Sequence, residues 1–118
     1  MPQNTPLRTA ETYAKYVARP KSDRCFMCEA PAIKEFEHWK IIENEYPYDA
    51  VAKVSHMLVP KRHVHAHVFL NTIERNELEC DVTVEIIGDD YDAMQWNTPK
   101  AQTHPSHYHI HLLTFRRV

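Results

Sequence analysis

Near the C-terminal end of the chain, His107, His109 and His111 alternate with Tyr108, Ile110 and Leu112, and Leu113 follows. Imidazole suits phosphoryl chemistry near neutral pH, because its neutral form is a competent nucleophile and its charged form donates to phosphate. A second chemical motif lies upstream at Cys25-Phe26-Met27-Cys28, where two thiols at this spacing can face one tetrahedral metal ion. A redox pair is the competing reading, but a thioredoxin-type motif sits at a strand-to-helix junction of a βαβ unit, and none follows here. Zinc is therefore favoured, and its two further ligands would come from downstream histidines. The sequence has nine histidines and a single glycine, Gly88. Neither a phosphate-binding P-loop nor a dinucleotide fingerprint can be written with one glycine.

Alternation with period two is a strand signature, since successive side chains point to opposite faces. The three histidines of 107–111 would then share a face, roughly 6–7 Å apart, with Tyr108, Ile110 and Leu112 toward the core. That arrangement makes imidazole the wet face of the strand. A second string, His63-Val64-His65-Ala66-His67-Val68-Phe69, has the same pattern, and pattern alone does not separate the two. As a strand it would offer a rival metal site.

The surrounding elements follow from similar reasoning. Residues 37–43 read as a strand with Trp39 and Ile41 on one face, and Asn44 to Asp49, with Pro47, break it. Met57 to Pro60 is a short apolar strand. Residues 71–87 look helical, with Asn71 or Thr72 as N-cap, Ile73, Leu78, Val82 and Ile86 as an apolar stripe, and Gly88 as C-cap. Cys80 then reads as a small core residue. Tyr91 to Asn97 reads as a strand with Trp96 suited to packing, and 98–105 as a loop. Residues 1–24 form an arm with a short helical pattern, expected to dock on the domain or on a partner subunit; residues 25–118 form the domain proper.

Composition sets the outer limits. A chain of 118 residues, 43% hydrophobic and 25% charged, fits one ordinary globular core. The net charge of −2 leaves no electrostatic footprint for nonspecific nucleic-acid binding. No apolar run approaches the ~18–20 residues of a membrane span, and no signal-like apolar segment opens the chain. A cytoplasmic protein is the expectation, and three cysteines in that setting read as metal or redox chemistry before structural disulfide.

Taken in order, Cys25-x-x-Cys28, the strand and turn of Ile41 to Asp49, Met57-Leu58-Val59-Pro60-Lys61-Arg62-His63 and the 107–113 string resemble the histidine-triad (HIT) superfamily of nucleotide hydrolases and transferases, in its zinc-binding Cys-x-x-Cys branch. The resemblance spans roughly residues 25 to 115. It implies an α+β fold, an antiparallel sheet of about four to five strands with one main helix between the second and third main strands. It also implies attack by His109 on the α-phosphorus of a nucleotide, giving a nucleotidyl-histidine intermediate, with His111 hydrogen-bonding phosphate oxygens. Asn44 would contact the ribose, although by spacing alone it reads better as a turn-capping residue. Zinc would be structural, held by Cys25, Cys28, His63 and His107, and the assembly would be a homodimer.

The chain departs from that family just before the triad. Family members carry a glycine-bearing segment ending in Gln-Ser that holds the phosphates; here the residues are Gln102-Thr103-His104-Pro105-Ser106, with no glycine. Ser106 and Thr103 are the remaining candidate donors to phosphate. His104 is an extra cation nearby, or an ordinary exposed loop residue. This departure keeps in play a zinc-stabilised nucleotide-binding module without turnover, and the two histidine strings keep in play a histidine-rich metalloprotein of small β-barrel type with an open catalytic metal on one of them.

Overall fold

A computed structural model describes residues 7–20, 22–89, 91–98 and 107–117. Its centre is a five-stranded, wholly antiparallel sheet. The strands are β1 (Lys34–Glu35), β2 (Trp39–Glu43), β3 (Ala52–Pro60), β4 (Ala93–Gln95) and β5 (Ile110–Phe115), in spatial order β1-β2-β3-β5-β4. Helices α1 (Ala10–Val17) and α2 (Phe26–Glu29) precede the sheet. A helical rod joins β3 to β4, so the architecture is α+β with one main helix, as expected.

That rod is α3 (Thr72–Glu77), a π-helical turn (Leu78–Val82) and α4 (Thr83–Ile87), with helical backbone at both junctions. Its start is set locally. The Asn71 side chain accepts from Glu74 N while Glu74 reaches back to the Asn71 N–H, a reciprocal capping box. Val82 and Ile86 are buried and Leu78 packs beside them, against Trp39, Ile41, Leu58, Tyr108, Ile110 and Leu112 on one sheet face. Ile73 is 62% exposed and does not join the stripe. Cys80 is exposed rather than a core residue, because the rod turns that position away from the sheet. Trp96 is 58% exposed rather than packed, lying just beyond the three residues of β4.

The Pro-Lys-Arg-His segment is pinned to this rod. Arg62 donates to both carboxylate oxygens of Glu74 at 3.1 and 2.8 Å, and the Trp39 indole donates to the Glu74 carbonyl at 2.9 Å. Glu74 itself is only 3% exposed; burial raises its carboxyl, but the Arg62 and Asn71 hydrogen bonds outweigh this and hold it below the usual range. The second histidine string is not a strand. It is irregular to Ala66, with a single 3₁₀ turn at His67–Phe69, so the rival triad never forms.

The opposite sheet face is covered rather than open to solvent. Met27 and Ala30 from the Cys-x-x-Cys segment pack on Ile42, Met57 and Val59, and Tyr48 packs with Ala52 and Leu113. Lys40 on the same face donates to the carbonyls of Cys28 and Ala30 at 3.3 and 2.7 Å. The arm closes over this layer: Ala50 N donates to the Leu7 carbonyl, and Arg8 Nε donates to Tyr46 O at 2.9 Å. The triad face is consequently dry. His107, His109 and His111 are 1%, 4% and 1% exposed, in place of the wet imidazole face that alternation alone suggests.

Candidate functional site

Two neighbouring constellations occupy the covered face, one of metal-ligand type and one a pocket. In the first, α2 presents the two thiols of its knuckle and the loop after β3 presents His63. The extended residues leading into β5 present His107. Cys25 Sγ lies 3.3 Å from His107 Nδ1, and Cys28 Sγ lies 3.1 Å from His63 Nδ1 and 3.4 Å from His107 Nδ1. The two imidazole Nδ1 atoms are 3.2 Å apart. All four ligand atoms lie within 4.8 Å of one another.

These separations match what a tetrahedral centre demands. With zinc–sulfur bonds of about 2.3 Å and zinc–nitrogen bonds of about 2.0–2.1 Å, neighbouring ligand atoms sit roughly 3.3–3.8 Å apart. His107 Nε2 donates to the carbonyl of Pro60 at 3.0 Å, which leaves its Nδ1 lone pair toward the thiols. Desolvation, with Cys25 beside it, pushes the Cys28 thiol up to about 11, so without a cation between the two sulfurs Cys28 stays protonated. The four residues could therefore hold a metal ion, and a Cys₂His₂ set closes its coordination sphere.

The second constellation is the pocket beside it. His109, His111 and Asn44 line it together with Met57 of β3, Phe26 and Met27 of α2, and Arg8, Tyr16 and Arg19 from the arm. His109 Nδ1 donates to the backbone carbonyl of His107 at 3.0 Å, which fixes the tautomer whose Nε2 carries the lone pair. His111 stands in β5 opposite Met57 on one side and Gln95 on the other. Burial, then its neighbours His109 and Arg8, lowers His111 to about 3, so it is neutral at physiological pH. Asn44 caps its own turn, accepting from Tyr46 N at 3.0 Å.

Of the residues singled out from sequence, His109, His111 and Asn44 meet at this pocket, and Cys25, Cys28, His63 and His107 meet beside it. Ser106, Thr103 and His104 lie outside the described residues. Sequence reasoning missed Tyr48, whose ring stacks on His111 with centroids 4.3 Å apart and whose hydroxyl lies 3.0 Å from His111 Nε2. It also missed Arg8, whose guanidinium lies over the rings of Tyr16 and Tyr48 at 4.9 and 4.8 Å. Tyr48 directly follows Pro47 in the strand-breaking turn, which is the one signal that could have found it. Arg8 had none.

The arm is held by a compact set of polar contacts. Asp49 accepts from Thr9 N at 3.0 Å and from the hydroxyls of Thr9 and Thr12, while Thr9 caps α1 by accepting from Thr12 N at 3.2 Å. The pocket is thus lined by the arm, by α2, and by strands and the turn after β2.

No sequence-family model matches the chain, and no curated protein sequence matches it. Solved structures do. A HIT family hydrolase from Legionella pneumophila Philadelphia 1 superposes with a TM-score of 0.60 at 18% identity, over 80% of this chain and 95% of that one. A histidine triad protein from Clostridium difficile gives 0.58 at 16% identity, over 84% and 96%. A HIT family hydrolase from Clostridium thermocellum gives 0.55 at 20% identity, over 80% and 92%. The protein has the histidine-triad fold.

Proposed function

We propose that the chain is a HIT-type nucleotide hydrolase or nucleotidyltransferase of the zinc-binding Cys-x-x-Cys branch, acting at an α-phosphate through a nucleotidyl-histidine intermediate. The observation that carries this reading is His109: buried, lining a pocket with His111 and Asn44, and held by the His107 carbonyl in the tautomer that leaves Nε2 nucleophilic. Attack by Nε2 on the α-phosphorus forms a P–N bond and expels the leaving group; water or another acceptor then breaks that bond and frees His109. His111 hydrogen-bonds a phosphoryl oxygen, and Asn44 serves the ribose. Ser106 and Thr103 are proposed as further phosphate donors.

Zinc on Cys25, Cys28, His63 and His107 has a structural role in this reading. Four protein ligands leave no open position for water, so the ion ties the N-terminal knuckle and the Pro-Lys-Arg-His segment to the strand bearing His109. A homodimer is the proposed assembly and a cytoplasmic site of action the proposed address. A second reading, a nucleotide-binding module without turnover, draws on the glycine-free segment before the triad.

Intact-protein mass spectrometry after incubation with adenosine 5′-phosphoramidate and diadenosine polyphosphates separates the two. A nucleoside-monophosphate adduct or released monophosphate, present in wild type and absent in His109→Ala, is the expected result. Nucleotide binding with neither adduct nor product would favour the binding module. Full turnover by His109→Ala would refute the mechanism.

A further inference from the structure

A line of hydrogen bonds runs from the edge strand β4 into the triad. Gln95 Nε2 donates to Asn97 Oδ1 at 3.1 Å, Asn97 Nδ2 donates to the Tyr48 hydroxyl oxygen at 2.9 Å, and that oxygen lies 3.0 Å from His111 Nε2. Each link constrains the next. Because the Asn97 carbonyl oxygen is taken by Gln95, its NH₂ end is the one facing Tyr48. A phenol has a single proton, and with Asn97 donating to its oxygen that proton goes to the other neighbour, His111 Nε2. Nε2 therefore accepts, and the ring proton of neutral His111 sits on Nδ1.

The surroundings make this arrangement rigid. Tyr48 is 0% exposed and stacked on the imidazole, and burial pushes its hydroxyl up, keeping it protonated. His111 Nδ1 is buried and has no hydrogen-bond partner among the described residues. An unsatisfied buried N–H is costly, and a ligand oxygen accepting from Nδ1 would remove that cost. His111 lines the same pocket as His109 and Asn44, where such an oxygen would arrive.

We infer that Tyr48 and Asn97 are positioning residues that hold His111 as the neutral Nδ1–H tautomer, so that it offers one hydrogen bond to a phosphoryl oxygen and acts as a donor rather than a proton source. The ligand's identity rests on the function proposed above; the tautomer does not. A neutral imidazole keeps its Nδ1 proton, so the proton required by a basic leaving group comes from elsewhere.

The test is long-range ¹H–¹⁵N correlation of the imidazoles in the full-length metal-loaded protein near neutral pH, with AMP titrated into the same samples. Wild type is expected to show His111 protonated at Nδ1 and bare at Nε2. Asn97→Asp replaces a donor by an acceptor of the same shape, so the Tyr48 proton turns to the introduced carboxylate and His111 switches to the Nε2–H form. AMP binding should weaken about tenfold in that variant, the loss of one hydrogen bond to a phosphate. An Nε2–H tautomer in wild type, or no switch in a folded Asn97→Asp, overturns the inference. The expected tautomers in a protein that binds no AMP would uphold the positioning role and reject the nucleotide reading instead.

Discussion

His107 Nδ1 lies 3.2 Å from His63 Nδ1, although 44 positions separate them in the chain. Both nitrogens face the thiols of Cys25 and Cys28, while the other nitrogen of His107 is anchored on the Pro60 carbonyl. The candidate metal-ligand cluster and the proposed nucleophile are thus joined through two residues of backbone, since His109 leans on the carbonyl of His107.

Removing a metal held by these four residues should therefore loosen the triad as well as the knuckle. Cys28→Ser or His63→Ala is expected to lose bound zinc and to lower the melting temperature by at least about 10 °C, since structural zinc contributes several kcal/mol to folding. Elemental analysis paired with thermal denaturation checks this. Full stability with no metal bound in wild type would remove the zinc assignment.

His111 makes stability depend on pH. Its folded value of about 3 lies below the ordinary 6.5, so the unfolded chain binds the proton more readily. The sign follows: stability is complete above about pH 6.5 and is lost progressively as pH falls from there toward about 3. Between pH 7 and pH 5 this single group should account for about 2 kcal/mol. Urea unfolding of wild type and His111→Gln at both values isolates it, because the difference between the two proteins should shrink at pH 5.

Asp49 should control the arm. Burial raises its carboxyl, but hydrogen bonds from Thr12 and Thr9 outweigh that and hold it below the usual carboxylate range. That support is present above the unfolded value and disappears as pH falls through the folded one. Asp49→Asn is expected to speed amide exchange across Ala10–Val17 by about tenfold while β3 and β5 keep their protection. Unchanged exchange in α1 would mean that the Arg8 and Leu7 contacts suffice without the carboxylate.

Glu74 is the junction between the Pro-Lys-Arg-His segment and the main helix. Glu74→Ala removes the buried carboxylate, leaving Arg62 without an anion and the Asn71 N–H without its acceptor. The expected cost is about 2 kcal/mol, below the figure for fully buried pairs because the Arg62 side chain is half exposed. Denaturant unfolding measures it. A change under about half a kcal/mol would show that the Trp39 packing alone holds this corner.

Local chemistry was legible wherever the chain itself supplies the geometry. The helix N-cap at Asn71 or Thr72, the break at Pro47, the strand carrying Trp39 and Ile41, and the short-range knuckle of Cys25 and Cys28 all depend on neighbours within a few residues. The recurrence of histidine with apolar partners pointed to the triad, and the ordered motifs around it pointed to the fold. What sequence could not decide was which histidines become buried, because alternation reports two faces without saying what covers them. The arm and the knuckle cover one face here, turning a seemingly wet row of imidazoles into a dry site.

The same limit explains Tyr48, Asn97 and Arg8. Each reads locally as a turn, a strand end or a basic arm residue. Their roles arise only when β4, the turn after β2 and the N-terminal arm converge on His111, and long-range convergence leaves no periodic trace. Sequence alone determined which side chains could do the chemistry. The tertiary structure decided which of their nitrogens are available for it, because hydrogen-bond partners from distant elements set each tautomer.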